Sequence, residues 1–267
     1  MLEINPQTLL ERIDDLAWLS DDVIQALSQK AKLVLYKPRE IVFQGDQNSD
    51  YVYLLISGEV QIISMENNKE HFEGNLYEFD LFGINFIFDK ALKNEQIFMA
   101  TSQSLLLQIP TSSFKEAIQN CTSTKGYYEL LSHHYDAYSF IKRSTSLGDQ
   151  LAPLFLIEFV SAFEIRTYND NEKVFAQGDE PDGYYICNEG RLKVIVTVNG
   201  NVVFTGDIQE GDYFGELALT TNSKRSGTIE SVGESQCFFL SRKSFDDLVK
   251  KEPQLLKGFE LLAKLAY

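Results

Sequence analysis

The chain has 267 residues, 44% hydrophobic and 24% charged, which is the composition of a folded protein with one large or two ordinary domains. Acidic residues outnumber basic ones 39 to 24, and the formal net charge of −15 disfavours nucleic-acid or membrane partners, because phosphate backbones and anionic lipids are repelled. No apolar run approaches the roughly 20 residues needed to span a bilayer.

Apolar residues at helical spacing predict short helices in residues 7–31. The segment Ser20-Asp21-Asp22 interrupts the pattern, and Ser20 is a typical N-cap for the next helix. The apolar stripes consist of Leu9, Ile13, Leu16, Val23 and Leu27.

Residues 40–63 and 172–195 resemble each other, which indicates an internal repeat. Three landmarks recur in the same order and at almost constant separation. They are Gln44-Gly45-Asp46 with Gln177-Gly178-Asp179, Gly58 with Gly190, and Phe82-Gly83 with Phe214-Gly215.

Within each repeat the pattern is that of strands. Residues 51–63 and 184–198 are rich in Val, Ile, Leu and Tyr and are bounded by turns that contain Gly and Asp. Short strands separated by frequent turns favour an antiparallel roll or barrel. We therefore predict a mainly β fold with helical subdomains, in which two tandem antiparallel β-rolls of the jelly-roll type are each flanked by helices.

Helical spacing returns between the repeats and in the last segment, where Pro253 is a typical first-turn residue. The linker stripe is Tyr127, Leu131, Tyr135 and Tyr138, and the final stripe is Leu255, Phe259, Leu262 and Ala266. We predict a first domain at 1–124, a linker helix at 125–148 and a second domain at 149–267.

The stretch from Phe214 to Ile229 has the residue types of an anion site. Gly215 lets a ligand approach the main chain, and the residues after it suit a short helix whose free N–H groups attract an anion. Arg225 comes nine residues after Glu216. The planar guanidinium of an arginine can hold two phosphate oxygens at once. Because a carboxylate beside a phosphate needs another role, a ribose hydroxyl is the natural donor to Glu216. The pattern favours a nucleotide whose phosphate and ribose lie side by side, as in a cyclic phosphodiester.

The run FGELAL with its following arginine resembles the phosphate-binding cassette of the cyclic nucleotide-binding domain family. This family includes the regulatory subunits of cyclic-AMP-dependent protein kinase and the catabolite activator protein. The resemblance implies main-chain phosphate contacts at Gly215, Leu217 and Ala218, a ribose 2′-hydroxyl acceptor at Glu216 and a phosphate clamp at Arg225. Ser226 stands where the family can add a hydroxyl contact to phosphate or purine.

The sequence departs from the family pattern at Lys224, where proline is common, and at Ser226-Gly227, where two alanines are common. A hydroxyl after the arginine occurs in binders of both cyclic AMP and cyclic GMP, so Ser226 does not decide the purine. Cyclic AMP is favoured over cyclic GMP by its frequency in the family. An aromatic residue of the last helix caps the base in many members, and Phe259 or Tyr267 are the candidates, with core packing favoured for Phe259.

The first repeat has lost this cassette. The position of Glu216 holds Ile84, which cannot accept a hydroxyl, and that of Arg225 holds Lys93, which has charge but no fork. We expect no cyclic nucleotide binding in the first roll. Its aromatic residues either fill the vacated pocket or meet a partner, and a different ligand held by Lys93 is the open alternative. These aromatic residues are Phe79, Phe82, Phe86 and Phe88.

The sequence offers little support for an enzyme or a metal site. His133 and His134 are adjacent and point about 100° apart on a helix, and no nucleophile or nucleotide-hydrolysis motif accompanies them. After the second roll we expect no room for a DNA-binding winged helix, and before the first roll we find no Arg-Arg pseudosubstrate, Arg12 being the only arginine there. No metal, no cofactor and no catalytic residue is predicted.

These observations predict a non-enzymatic cyclic nucleotide receptor that changes its helix packing on binding and signals to a protein partner. The alternative is an interaction scaffold in which neither roll binds a nucleotide. Cys121, Cys187 and Cys237 are far apart in sequence and odd in number, which suits free thiols, and no signal peptide is recognisable. We therefore expect a cytoplasmic protein.

Overall fold

The structure, a computed structural model, describes residues 5–45, 49–66, 69–90, 92, 95–144, 151–216, 223–257 and 259. The chain divides into two units, Met1–Tyr135 and Asp136–Tyr267. The division falls within the helix that joins the two repeats. The domain limits at 124 and 149 stay predictions.

The first unit contains two four-stranded antiparallel sheets, with strand orders β1-β8-β3-β6 and β2-β7-β4-β5. Its strands are β1 (Lys32–Tyr36), β2 (Ile41–Gly45), β3 (Tyr51–Ser57), β4 (Val60–Glu66), β5 (Lys69–Leu76), β6 (Leu81–Phe82), β7 (Gln96–Ala100) and β8 (Ser104–Pro110).

The second unit repeats this topology, with strand orders β9-β16-β11-β14 and β10-β15-β12-β13. Each strand thus has its counterpart eight strands earlier, which confirms two tandem antiparallel rolls. The strands are β9 (Phe163–Tyr168), β10 (Lys173–Phe175), β11 (Gly183–Glu189), β12 (Leu192–Val198), β13 (Asn201–Ile208), β14 (Tyr213–Phe214), β15 (Thr228–Ser231) and β16 (Ser235–Ser241).

Helices flank both rolls. They are α1 (Pro6–Leu10), α2 (Asp21–Lys30), α3 (Thr111–Gln119), α4 (Thr122–Ser144), α5 (Pro153–Ser161) and α6 (Arg242–Lys251), with short 3-10 helices at Asp14–Leu16 and Ile84–Phe88. Residues 254–257 and 259 are also helical, and Leu262 and Ala266 lie outside the described residues. Among the described helices, none combines the length and the hydropathy needed to cross a membrane.

The predicted N-cap at Ser20 is correct in position but wrong in chemistry. Ser20 precedes α2 with an extended backbone, yet its side chain makes no capping hydrogen bond. Its hydroxyl lies 3.0 Å from the Cys121 thiol and accepts a bond of 3.2 Å from the Thr124 hydroxyl. The hydroxyl therefore ties α2 to the start of α4 instead of capping its own helix.

Two of the three free thiols are neighbours, although they are far apart in sequence. Cys187 on β11 lies directly opposite Cys237 on β16, and both are fully buried. They belong to the apolar core of the second roll, together with Tyr185, Phe214 and Phe239. Spacing along the chain could not indicate this pairing, because it depends on the register of two distant strands.

Aromatic rings fill the interior of the first roll. Phe82 stacks between Tyr53 and Phe98, with ring centroids 5.0 and 5.1 Å away. Phe86 is almost fully buried and packs on Phe43 at 5.5 Å. The space left among these rings is about 10 Å³, which is the volume of about one water-sized probe.

The four phenylalanines predicted either to fill this pocket or to meet a partner divide into three groups. Phe82 and Phe86 line the small remaining space. Phe88 is buried elsewhere, against Trp18, Tyr128 and Tyr135. Phe79 is 47% exposed and does not fill the pocket. The packing role is thus confirmed for Phe82 and Phe86.

Replacing Phe86 by alanine would open a cavity in the first roll. Because Phe86 is 2% exposed, we expect Phe86→Ala to lower the free energy of unfolding by about 3–5 kcal/mol. Urea denaturation monitored by circular dichroism measures this, with Phe72→Ala, whose side chain is 63% exposed, as the matched control. Equal stability of the two variants would contradict the packing role of Phe86.

Candidate functional site

The site lies where β14 ends, in the second roll. Gly215 comes directly after this strand with φ 84°, a left-handed backbone that glycine adopts without steric cost. A Cβ atom on Gly215 would lie only 2.5 Å from Nη1 of Arg225 and 3.2 Å from the Gly183 carbonyl oxygen. Glycine is therefore required here, since any side chain would occupy the space of the guanidinium.

The guanidinium of Arg225 is held by three acceptors. Nη1 donates to the Gly215 carbonyl at 3.0 Å, and Nη2 donates to Asp182 Oδ1 at 2.6 Å and to the Gly183 carbonyl at 2.8 Å. Its plane lies over the ring of Phe175, with 4.0 Å between Cζ and the ring centroid. These contacts fix the position and the orientation of a charged group that is only 3% exposed.

One nitrogen of this guanidinium has no partner among the described residues. This nitrogen, Nε of Arg225, is buried. A buried donor of a charged group without an acceptor costs about 1–3 kcal/mol or more. An anionic oxygen placed beside Nε would remove this cost, which makes the position suitable for a phosphate.

The repeated Gln-Gly-Asp turn holds the backbone of Arg225. The Gly178 amide donates to the Arg225 carbonyl at 2.9 Å, and the Arg225 amide donates to the Asp179 carbonyl at 2.9 Å. The landmark that identified the repeat therefore has a structural role, since it anchors the segment that carries the guanidinium.

Asp182 connects several parts of the site. Besides its bond to Arg225, its carboxylate accepts from the Tyr185 hydroxyl at 2.7 Å and lies 3.4 Å from Nη1 of Arg166. Partial burial alone would raise the pKa of Asp182, but the hydrogen bonds from Tyr185 and Arg225 and the charge of Arg225 outweigh it and lower the pKa. Asp182 is thus ionised at neutral pH and positions the guanidinium.

Glu216 and Ser226 face the same cavity as Arg225. Glu216 is 4% exposed, and burial raises its pKa, although the charge of Arg225 opposes the shift. Ser226 is exposed. The structure thus brings four predicted site residues together, Gly215, Glu216, Arg225 and Ser226, while Leu217 and Ala218 lie outside the described residues.

The cavity beside these residues measures about 650 Å³, which is within the range of small-molecule sites. Its polar lining consists of Glu216, Ser223, Lys224, Arg225 and Ser226. Most of the other lining residues are apolar or aromatic, and they include Phe175, Val194, Val196, Phe204, Ile208 and Ile229. A lining that combines charged with apolar and aromatic groups suits a ligand with a phosphate and a flat ring.

The first roll has the same left-handed glycine as this site but neither its acidic residue nor its cavity. Gly83 has φ 79°, close to that of Gly215, and a Cβ on it would lie 2.9 Å from the Tyr51 carbonyl oxygen. The place of Glu216 is taken by Ile84, and aromatic rings leave about 10 Å³ where the second roll has about 650 Å³. Lys93 lies outside the described residues.

Sequence reasoning missed Asp182 and Phe175. Asp182 lies between two predicted elements, and nothing in its local pattern marks it as a partner of Arg225. The repeat held a signal, because Asp50 occupies the same place in the first roll, just before β3. Phe175 was hidden in a strand pattern, where an aromatic residue is ordinary.

The two candidates for a base-capping residue have different outcomes. Phe259 is fully buried, with its ring 4.7 Å from that of Tyr184 and 4.9 Å from that of Phe245. The favoured interpretation of Phe259 as a core residue is confirmed. Tyr267 lies outside the described residues.

The sequence of this chain is similar to that of known proteins. The profile of the cyclic nucleotide-binding domain matches residues 33–121 and 165–252, one match in each roll. The chain is 26% identical over 256 residues to the cAMP-dependent protein kinase regulatory subunit of Mucor circinelloides f. lusitanicus, covering 96% of this chain and 55% of that protein. It is also 26% identical to the regulatory subunit of Blastocladiella emersonii, over 85% of this chain and 54% of that one. The chain thus spans about half the length of these relatives.

Among solved structures, the regulatory domain of Toxoplasma gondii PKA, crystallised with cAMP, is 19% identical. The alignment covers 98% of this chain and 95% of that one, with a TM-score of 0.43. Since the profile matches cover more than half of the sequence, the chain belongs to the cyclic nucleotide-binding domain family and carries two such domains.

Proposed function

We propose that this chain is a receptor for a cyclic nucleotide, with cyclic AMP as the preferred ligand, bound in the second roll. The observation that carries the proposal is the buried Arg225, which lines a cavity of about 650 Å³ and whose Nε has no partner among the described residues. A bound phosphate supplies the acceptor that Nε lacks.

The position of Glu216 indicates where the ribose lies. Its buried carboxylate lines the same cavity as Arg225, and a ribose 2′-hydroxyl next to the cyclic phosphate can donate to it. Gly215 leaves room for the guanidinium of Arg225 and is proposed, with Leu217 and Ala218, to add main-chain contacts. Ser226 is proposed to contact phosphate or purine. The first roll, filled by its aromatic rings, is proposed not to bind.

Asp182 offers a route from the ligand to the helices. Its side chain holds Arg225, and its carbonyl accepts from the amide of Arg242, the first residue of α6, at 2.8 Å. Two residues further, Tyr184 packs on Phe259 of the terminal helical segment. A ligand that binds Arg225 therefore acts on residues that contact both helical segments. It shifts the packing of these helices only as far as it binds one packing arrangement more tightly than the other.

The output is proposed to be a protein contact and not a reaction. Relatives are regulatory subunits of a kinase, so a protein kinase is the first class of partner to test. The net charge of −15 argues against nucleic acid and anionic membranes as partners. The three free thiols suit a reducing cytoplasm.

Arginine replacement tests the phosphate site. We expect wild type to bind one cyclic AMP per chain, more tightly than cyclic GMP, and Arg225→Ala to weaken binding at least about 100-fold, since charge-assisted hydrogen bonds are worth about 1.5–3 kcal/mol each. Arg225→Lys keeps the positive charge but has no Nε–H for the phosphate and cannot make the same bonds to Gly215, Asp182 and Gly183, so we expect it to bind poorly as well. Isothermal titration calorimetry measures all three.

Arg191→Ala is the control, because Arg191 is an exposed cation that does not line the cavity. Thermal unfolding without ligand shows whether each variant is folded. Equal binding by wild type and a folded Arg225→Ala, or two ligands per chain, would contradict the proposed site. A wild type that stays bare in native mass spectrometry with added nucleotide would favour a ligand-independent scaffold.

The role of Glu216 is tested with 2′-deoxy cyclic AMP. Loss of the hydroxyl should weaken binding to wild type about 10-fold or more but leave the affinity of Glu216→Ala nearly unchanged. An equal loss in wild type and Glu216→Ala on removal of the hydroxyl would refute the assignment.

The same assignment predicts a pH dependence. Because burial raises the pKa of Glu216 and a hydroxyl donates best to an ionised carboxylate, the affinity of wild type for cyclic AMP should fall as the pH falls through this raised pKa. Glu216→Gln should lack that pH dependence.

The link between ligand and α6 depends on Asp182. We expect cyclic AMP to change hydrogen exchange of the α6 amides in wild type, and Asp182→Asn to reduce both this change and the affinity, because an amide holds the guanidinium less firmly than a carboxylate. Mass-spectrometric exchange on the full chain measures the effect. Asp207→Asn, at an exposed position of β13, is the control, and an unaltered response in Asp182→Asn would exclude the route.

A further inference from the structure

The mouth of the cavity carries an exposed aromatic ring. Phe204 on β13 is 55% exposed and also lines the cavity. It lies directly opposite Val196 on β12, so both side chains are on the same face of the β12–β13 pair. A large apolar ring that is half in solvent and half over a cavity has surface available for a ligand.

The ring of Phe204 occupies the space that the glycine at position 206 leaves free. A Cβ on Gly206 would lie 3.1 Å from Cζ and 3.2 Å from Cε1 of Phe204. The ring therefore lies along its own strand, over Gly206, and next to Val194, whose Cγ1 is 3.1 Å from the same point. Glycine at position 206 therefore lets the ring pack against the strand on the face that lines the cavity.

A second glycine leaves space beside the two valines of β12. A Cβ on Gly227 would lie 3.2 Å from Cγ2 of Val196 and 3.3 Å from Cγ2 of Val194. Gly227 also lines the cavity and comes two residues after Arg225. The lining of the cavity thus combines Arg225 with an apolar strip formed by Val194, Val196 and Phe204.

The last described helical segment offers no competing ring. Phe259 is fully buried between Tyr184 and Phe245, so it would have to leave the core to reach a ligand. Phe204 needs no such change, because its ring already borders the cavity.

We propose that Phe204 is the residue that stacks on the purine base and thereby sets the preference for purine over pyrimidine ligands. This inference rests on the proposed function, since it presumes that the phosphate lies at Arg225. The base then extends along the strip over Val194 and Val196, with its face against the ring of Phe204.

The test compares cyclic AMP with cyclic UMP in calorimetric titrations of the full chain. Stacking on an aromatic side chain is worth more for a purine, so Phe204→Ala should weaken cyclic AMP binding about tenfold or more, weaken cyclic UMP less, and so reduce the ratio of the two affinities. Phe204→Tyr should restore that ratio. Val203→Ala is the control, because Val203 is 59% exposed on the same strand but does not line the cavity.

A fluorescence measurement reports the contact directly. The chain has one tryptophan, Trp18, which lies in the other unit, so Phe204→Trp introduces a distinct reporter that a stacked adenine should quench. Val203→Trp should show little quenching.

The outcomes separate the two proposals. If wild type binds cyclic AMP and Phe204→Ala keeps both affinities and their ratio, the stacking inference is wrong and the receptor proposal stands. An equal loss of both nucleotides in Phe204→Ala, or a loss that Phe204→Tyr does not restore, also overturns the inference, because it indicates a structural effect. If wild type binds neither nucleotide, the receptor proposal itself fails.

Discussion

A buried guanidinium needs hydrogen-bond acceptors, and several segments of the second roll provide them for Arg225 or hold it in place. Two carbonyls, of Gly215 and Gly183, and one carboxylate, of Asp182, take its terminal nitrogens. The left-handed turn at Gly215 brings the first carbonyl into reach, and the Gln-Gly-Asp turn anchors the backbone. Burial makes a partnerless donor costly, and this cost at Nε is the reason for the proposed anion site.

The two rolls show how the same strand order can enclose a cavity or a core. Both have the left-handed glycine after the short sixth strand of the roll, and both stack a tyrosine on the phenylalanine before it. They differ in the residues after that glycine. Where the second roll places Glu216 and leaves space, the first has Ile84 and Phe86, and its rings close on each other. Loss of an acceptor and gain of apolar volume thus occur together.

The repeat, the antiparallel topology and the core of the site were predictable from the sequence, because glycines and the Glu–Arg spacing are local signals. The partners of Arg225 were not, since Asp182 and Phe175 reach it through strand packing that spacing along the chain does not encode. The same reason applies to Cys187 and Cys237, which meet only through the register of β11 and β16. Ser20 occupied the predicted cap position but found other partners across the fold.

The contrast between a filled and an open roll has a consequence for how long the protein persists in a cell. A ligand that binds only the native state adds stability by mass action, and here it would do so in the half with the open cavity alone. Degradation that begins by local unfolding of the C-terminal half would then slow as the nucleotide accumulates, while unfolding of the N-terminal roll, whose interior is filled by its own aromatic rings, would not be slowed directly. The amount of the protein in the cell would then rise and fall with the concentration of the nucleotide that it binds.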